Sequence, residues 1–259
     1  MCNKLFGDSK NIVGVEQTSS GDTSIVENNI RYDVMSIARW FEKQTHEAPH
    51  IGEHAVERIL RHIEQRKKQS PKILVLGLGT IGRQVAGRLL VGNIGTLRAA
   101  DAFKKLLGPG AKNPLRNAAA GFLMRSNALI PLTAALDTIG EYDVIIGASG
   151  SRLFDEDMLE SLHPEVSLIS VSSSDREFPA LAFRRGQEGN IHDDYYLDER
   201  CLVNGGFPIT FYGNRFEVEP RKIEITIALL QMAVLHAAKP MDIVPHVRSR
   251  ILDAWLDQT

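Results

Sequence analysis

Residues 72–87 read KILVLGLGTIGRQVAG. Ile73, Leu74, Val75 and Leu76 form a continuous apolar run closed by glycine, the pattern of a parallel strand covered on both faces. From Thr80 onward, Ile81, Val85, Ala86 and Leu89 recur at helical spacing. Gly77, Gly79 and Gly82 therefore join a strand to a helix as G-x-G-x-x-G, the context in which that pattern carries weight. The three glycines differ in what they permit. Gly77 makes the tight turn, Gly79 lets the backbone approach a pyrophosphate, and Gly82 lets the helix lie close to the strand. Thr80 and Ile81 open the helix, whose unpaired N–H groups and positive dipole end suit a phosphate. The plain alternative is a sheet of the same kind that holds another nucleotide or none.

Outward from this unit, strands and helices alternate. A faint strand at 96–100 leads to Asp101, which stands about 20 residues after the motif, where an acidic side chain binds the adenosine ribose. Asp101 would serve equally as the N-cap of a helix at 102–107. A helix is expected at 114–124 and a short strand at 128–130. Residues 143–147 (DVIIG) and 166–171 (VSLISV) read as two further buried strands with a short helix at 155–162 between them. Residues 193–197 and 201–204 flank a turn and predict a hairpin. The fold class is therefore α/β, a Rossmann-type doubly wound parallel sheet with flanking N-terminal and C-terminal helices. Three segments follow: an arm and small helical segment over 1–70, the dinucleotide-binding domain over 71–215, and C-terminal helices over 216–259.

Before the sheet, residues 1–28 are polar and aperiodic and read as a loose arm. Val34, Ile37, Ala38, Trp40 and Phe41 mark one amphipathic helix, and Ala55, Ile59, Leu60 and Ile63 another, with a break at 45–54 (THEAPHIGEH). That break holds His46, Glu47 and His50 in the H-E-x-x-H order of zinc proteases. The metal needs both imidazoles on one unbroken helix, and Pro49 lacks the N–H such a helix requires, so a joining loop is expected and no metal.

The chain has 259 residues, 43% hydrophobic and 24% charged, with a formal net charge of −2. The near-neutral balance argues against a nucleic-acid binder or an anionic-membrane binder, leaving a small-molecule substrate as the expected partner. Cys2 and Cys201 make no disulfide framework, and the N-terminus lacks a signal-peptide core, so a cytoplasmic protein is expected. The apolar run at 225–238 is too short to span a bilayer and reads as a buried helix. Within 222–238 that helix is apolar on nearly all sides, which predicts a homodimer across a two-fold axis unless the N-terminal helices cover it.

Small polar residues follow the other strands: Gly147-Ala148-Ser149-Gly150 and Ser172-Ser173-Ser174-Asp175. Ligands of open parallel sheets sit beyond such strand ends, although plain turns would use the same residues. Three runs, YDVIIGASGSRLF (142–154), LISVSSSDREF (168–178) and ERCLVNGGFPITF (199–211), together resemble the cofactor domain of the S-adenosylhomocysteine hydrolase family over roughly 71–238. The resemblance implies NAD (or NADP) as cofactor, with Ser149 and Gly150 near its ribose and nicotinamide. It implies that Ser172 and Ser173 line the nicotinamide pocket, that Asp175 and Glu177 match the family's two acids, and that Asn204 meets the carboxamide. A turn residue before Gly205-Gly206 is the simpler role for Asn204.

The departures from that family are large. Its substrate domain has no counterpart in the first 70 residues. Serines and Phe207 stand where it has histidines, and the tail VRSRILDAWLDQT lacks its Lys/Tyr motif. The expected activity is thus a nicotinamide-dependent oxidoreductase with a compact substrate site, not a homocysteine-forming hydrolase. Asp175 and Glu177 are the candidate acid–base residues, followed by His192 in the run HDDYY (192–196), which is otherwise a surface turn. The alternatives are an S-adenosylmethionine-dependent methyltransferase on the same sheet and a nucleotide-binding sensor or scaffold without turnover. His236 reads as a core histidine, Arg184 and Arg185 as a solvated loop, and Cys201 as a small buried hydrophobe.

Overall fold

The computed structural model describes residues 13–29, 33–101, 121–172, 175–211, 219–238 and 245–257. The chain divides into two compact units, Met1–His50 with Val218–Thr259, and Ile51–Glu217.

In the first unit, β1 (Val13–Glu16) and β2 (Asp33–Ser36) pair in parallel, with Val15 opposite Met35. The helix Ser19–Glu27 lies between them in sequence, capped by the Thr18 hydroxyl, which accepts from Gly21 N at 2.9 Å. Two expectations fail here: residues 13–27 form a strand and a helix where a loose arm was expected, and the residues from Val34 start as a strand. Alternation explains the second, because Val15 and Met35 pack side by side against the cluster of Ile37, Ile225, Leu229, Met232, Ala233 and Trp255. The helices Glu224–Ala238 and Pro245–Leu256 close this core. Trp255 donates from Nε1 to Arg221 O at 2.7 Å, and Arg248 pairs with Glu42 at 2.5 Å while its guanidinium lies over the ring of Trp40.

The break expected at 45–54 is also absent. Lys43–Glu47 forms a π-helical turn that continues directly into the helix Ala48–Gln65. Pro49 falls inside this continuous helical stretch, and the wider π turn immediately before it accommodates the missing N–H. His46 lies edge-on to Trp255 with ring centres 5.6 Å apart, and Glu47 pairs with Lys43 at 2.6 Å.

Among the described residues, the second unit is built on a sheet of seven strands. Its strands are β3 (Lys72–Leu76), β4 (Thr96–Asp101), β5 (Leu129–Pro131), β6 (Val144–Gly147), β7 (Ser167–Ser170), β8 (Tyr195–Leu197) and β9 (Arg200–Leu202). Their spatial order is β5-β4-β3-β6-β7-β9-β8, with every neighbouring pair parallel except the β8–β9 hairpin. Leaving out β8, the order in sequence terms is third, second, first, fourth, fifth, sixth, the doubly wound arrangement.

Alternate residues of β3 explain why the sheet is covered twice. Ile73 and Val75 join one core with Ala55, Ile59 and Ile63 of the helix Ala48–Gln65 and with Val85 and Leu89 of the helix Thr80–Val91. Leu74 and Leu76 join the opposite core with Ile145, Phe154, Phe178 and Phe183. Fully burying one such side chain contributes roughly 1.5–3 kcal/mol, so the strands at the centre hold the sheet most firmly. The expected helix at 155–162 is a 3₁₀ stretch, Glu156–Ser161. The helix expected at 102–107 and most of that at 114–124 lie outside the described residues. Among the described residues no helix is long and apolar enough to cross a membrane.

Candidate functional site

The strand order reverses between β3 and β6, the switch point of a doubly wound sheet. A cleft of about 200 Å³ opens at that point, lined among others by Gly77, Gly79, Ala100, Asp101, Ser149 and Leu153.

The glycine turn builds one wall. Gly77 has φ +99°, and a Cβ there would lie 2.6 Å from Ala148 C and Ser149 N, so only glycine fits. A Cβ on Gly82 would lie 2.0 Å from Gly77 O and 2.8 Å from Ala148 Cβ, which fixes glycine where the helix crosses the turn. Gly79 is different. A Cβ there would meet only Ala148 O, at 4.0 Å, so nothing among the described residues demands a glycine. Gly79 is also the N-cap of the helix Thr80–Val91 and offers no side-chain acceptor to the first-turn N–H groups. The helix begins at Thr80, Ile81 packs against the sheet core, and Arg83 N donates to Gly79 O at 3.2 Å. Asp101, the last residue of β4, accepts from Leu78 N at 3.0 Å and so ties the strand end to the turn.

The opposite wall is held by a carboxylate. Glu177 is fully buried. Its Oε1 accepts from Ser149 N at 2.5 Å, Ser149 Oγ at 3.0 Å and Gly150 N at 3.0 Å. Its Oε2 accepts from Ser170 Oγ at 3.0 Å and Ser172 Oγ at 2.7 Å. Gly150 has φ +70°, which turns its N–H toward the same oxygen as that of Ser149.

A second cluster lies beyond β9, which runs parallel to β7 and so ends on the same edge of the sheet. Asn204 is fully buried with φ +53°, a conformation asparagine tolerates better than most residues. Its Nδ2 donates to Pro208 O at 2.7 Å, its backbone N donates to Asp194 Oδ1 at 2.8 Å, and its Oδ1 lies 3.2 Å from His192 Nδ1. His192 rests against Phe207 with ring centres 4.8 Å apart, and the Arg184 guanidinium covers the same ring at 5.1 Å. Arg184 also donates to Asp175 Oδ2 at 3.1 Å and to Gly205 O. Arg184 is thus a structural cation and not a solvated loop residue.

The structure brings Gly77, Gly79, Asp101 and Ser149 to one cleft and joins Gly150, Ser172 and Glu177 to it through the buried carboxylate. Asp175, His192 and Asn204 stand in the second cluster, and Ser173 lies outside the described residues. Sequence reasoning gave no site role to Ser170, Arg184 or Asp194. Ser170 had a legible signal, a hydroxyl inside the otherwise apolar run LISV. Arg184 and Asp194 had none, because their partners come from distant segments.

No family model matches the chain. A protein of Mycobacterium tuberculosis, present in two strains and described there as uncharacterized, is 33% identical over 240 residues. The match takes in 90% of this chain but 42% of that protein, so the chain spans less than half the length of the curated relatives it matches. Among solved structures, dipicolinate synthase from Bacillus subtilis superposes with a TM-score of 0.51 at 12% identity, over 87% of this chain and 65% of that one. The dipicolinate synthase of Bacillus halodurans gives 0.51 at 14% identity, over 85% and 66%. At such identities the likeness is one of fold, and it places the chain among Rossmann-like sheets with flanking helices.

Proposed function

We propose that the cleft holds a nicotinamide dinucleotide and that the protein is an oxidoreductase acting on a small molecule. One observation carries this reading: Gly79 is a glycine that packing among the described residues does not require, at a helix N-terminus facing the cleft. A bare backbone there admits a pyrophosphate, and the helix dipole favours it. Asp101 supports the same reading, since a carboxylate at the end of β4 suits the ribose hydroxyls and repels a 2′-phosphate, favouring NAD over NADP. Bound there, such a cofactor would supply hydride transfer, and the chain would supply position and polarity. The resemblance of the runs at 142–154, 168–178 and 199–211 to the S-adenosylhomocysteine hydrolase cofactor domain points to the same cofactor. Asp175, paired with Arg184, and His192, beside Asn204, are the candidate titratable groups for a substrate that meets it.

Calorimetric titration with NAD⁺, NADP⁺ and S-adenosylmethionine tests the reading. NAD⁺ should bind most tightly, NADP⁺ more weakly and S-adenosylmethionine not measurably. Saturable binding of S-adenosylmethionine without NAD⁺ binding would replace the oxidoreductase with a methyltransferase, and binding of neither would reject the cofactor assignment.

A further inference from the structure

The carboxylate of Glu177 occupies a nest that is built as if for an anion. Two backbone N–H groups, of Ser149 and Gly150, and three hydroxyls, of Ser149, Ser170 and Ser172, converge on it. A carboxylate offers about four lone-pair sites, and the two N–H groups with the Ser170 and Ser172 hydroxyls fill them, while the single Ser149 hydroxyl proton is shared with Ser151 O. Gly147 adds an independent sign. A Cβ on this last residue of β6 would lie 2.6 Å from Glu177 Oε2 and 2.9 Å from its Cδ, so the strand ends in glycine to let the carboxylate pass. The segments it joins follow β6 and β7, the strands on one side of the switch point, and Ala148 and Ser149 are themselves cleft walls.

We propose that Glu177 is a positioning residue, a built-in anion that fixes residues 148–150 after β6 and 170–172 at the end of β7 and thereby shapes the crevice. It does not transfer protons. Only its effect on cofactor affinity rests on the dinucleotide reading; its hold on the two segments does not.

The test is Glu177→Ala, with sodium formate as a small carboxylate to refill the nest. Amide hydrogen exchange is followed by mass spectrometry over 147–152 and 168–172, with β3 as an internal control. Exchange in these two segments, which carry the ends of β6 and β7 and the residues after them, should rise in the variant while β3 stays protected, and formate at tens of millimolar should restore protection. NAD⁺ affinity should fall by about 10- to 100-fold and recover with formate. Segments that remain protected in Glu177→Ala, or that formate fails to restore, would overturn the proposal. Should Glu177→Ala not fold, Ser172→Ala removes a single donor, and unchanged exchange over 168–172 in that variant would overturn it equally. Absence of NAD⁺ binding by the wild type would reject the cofactor reading, while the exchange result would still decide the role of Glu177.

Discussion

The three glycines of the turn have separable roles because their missing Cβ atoms would meet different things. At Gly82 the obstacle is a carbonyl oxygen 2.0 Å away, inside the protein. At Gly79 the nearest obstacle is 4.0 Å away, and the space belongs to the cleft. Gly82→Ala should therefore lower stability, by roughly 1–3 kcal/mol as overpacking of a close backbone contact does. Gly79→Val should leave the melting temperature near that of the wild type and remove measurable NAD⁺ binding. Thermal melts and titrations of both variants check the pair. Equal loss of stability in both would mean that Gly79, too, serves only the fold. Asn204 illustrates the opposite case. Its carboxamide, expected to face a nicotinamide, is engaged by Pro208 O and His192, and its left-handed backbone suits the turn.

Among the elements, the strands at the centre of the sheet were legible because each is buried on both faces, so burial writes itself as an unbroken apolar run. β1 and β2 were not, because they are four residues long and partly exposed, and Val34 to Phe41 mixes a strand period with a helical one. The helix through Pro49 was missed because a proline reads as a break, whereas the π-helical turn just before it accommodates the missing N–H. The glycine turn of the site was legible for a local reason, strand then turn then helix. The Glu177 nest was not, because its donors come from separate segments that only the sheet brings together. One helix carries a pH-dependent contact. His62 of the helix Ala48–Gln65 is buried, with a ring nitrogen 2.9 Å from Ser167 Oγ of β7. Burial holds its pKa below the ordinary 6.5; Asp194 raises it, while Arg66 and Lys68 lower it further. The unfolded chain then binds a proton at a higher pH than the folded one, so stability rises with pH across that window. The contribution is complete above the ordinary pKa and is lost as pH falls below it toward the depressed folded value. Melting temperature should drop between about pH 7.5 and about pH 5.5, and that of His62→Gln should drop less. His46 is lowered by burial as well, so the difference between the two proteins is the diagnostic quantity. Parallel pH profiles would remove His62 as the cause.

At the scale of the whole molecule, the helix Glu224–Ala238 has one apolar face in the first unit's core and another that stays exposed. Ile225, Leu229, Met232 and Ala233 are buried in the first unit's own core. Ile227, Val234 and Leu235 remain 49%, 51% and 60% exposed on the other side. A two-fold contact along this face would cover three such side chains from each copy. At about 1–1.5 kcal/mol for each half-exposed side chain, six recover roughly 6–9 kcal/mol. Association itself costs about 4–15 kcal/mol, so these residues alone support a weak, concentration-dependent dimer and not an obligate one. Light scattering across a dilution series should show dimer at high concentration dissociating on dilution. Leu235→Lys places a charge on the face without touching the buried one, and should leave a monomer of unchanged melting temperature. A wild-type chain that stays monomeric at every concentration, or a Leu235→Lys variant that dimerises as the wild type does, would assign that face to something other than a second copy.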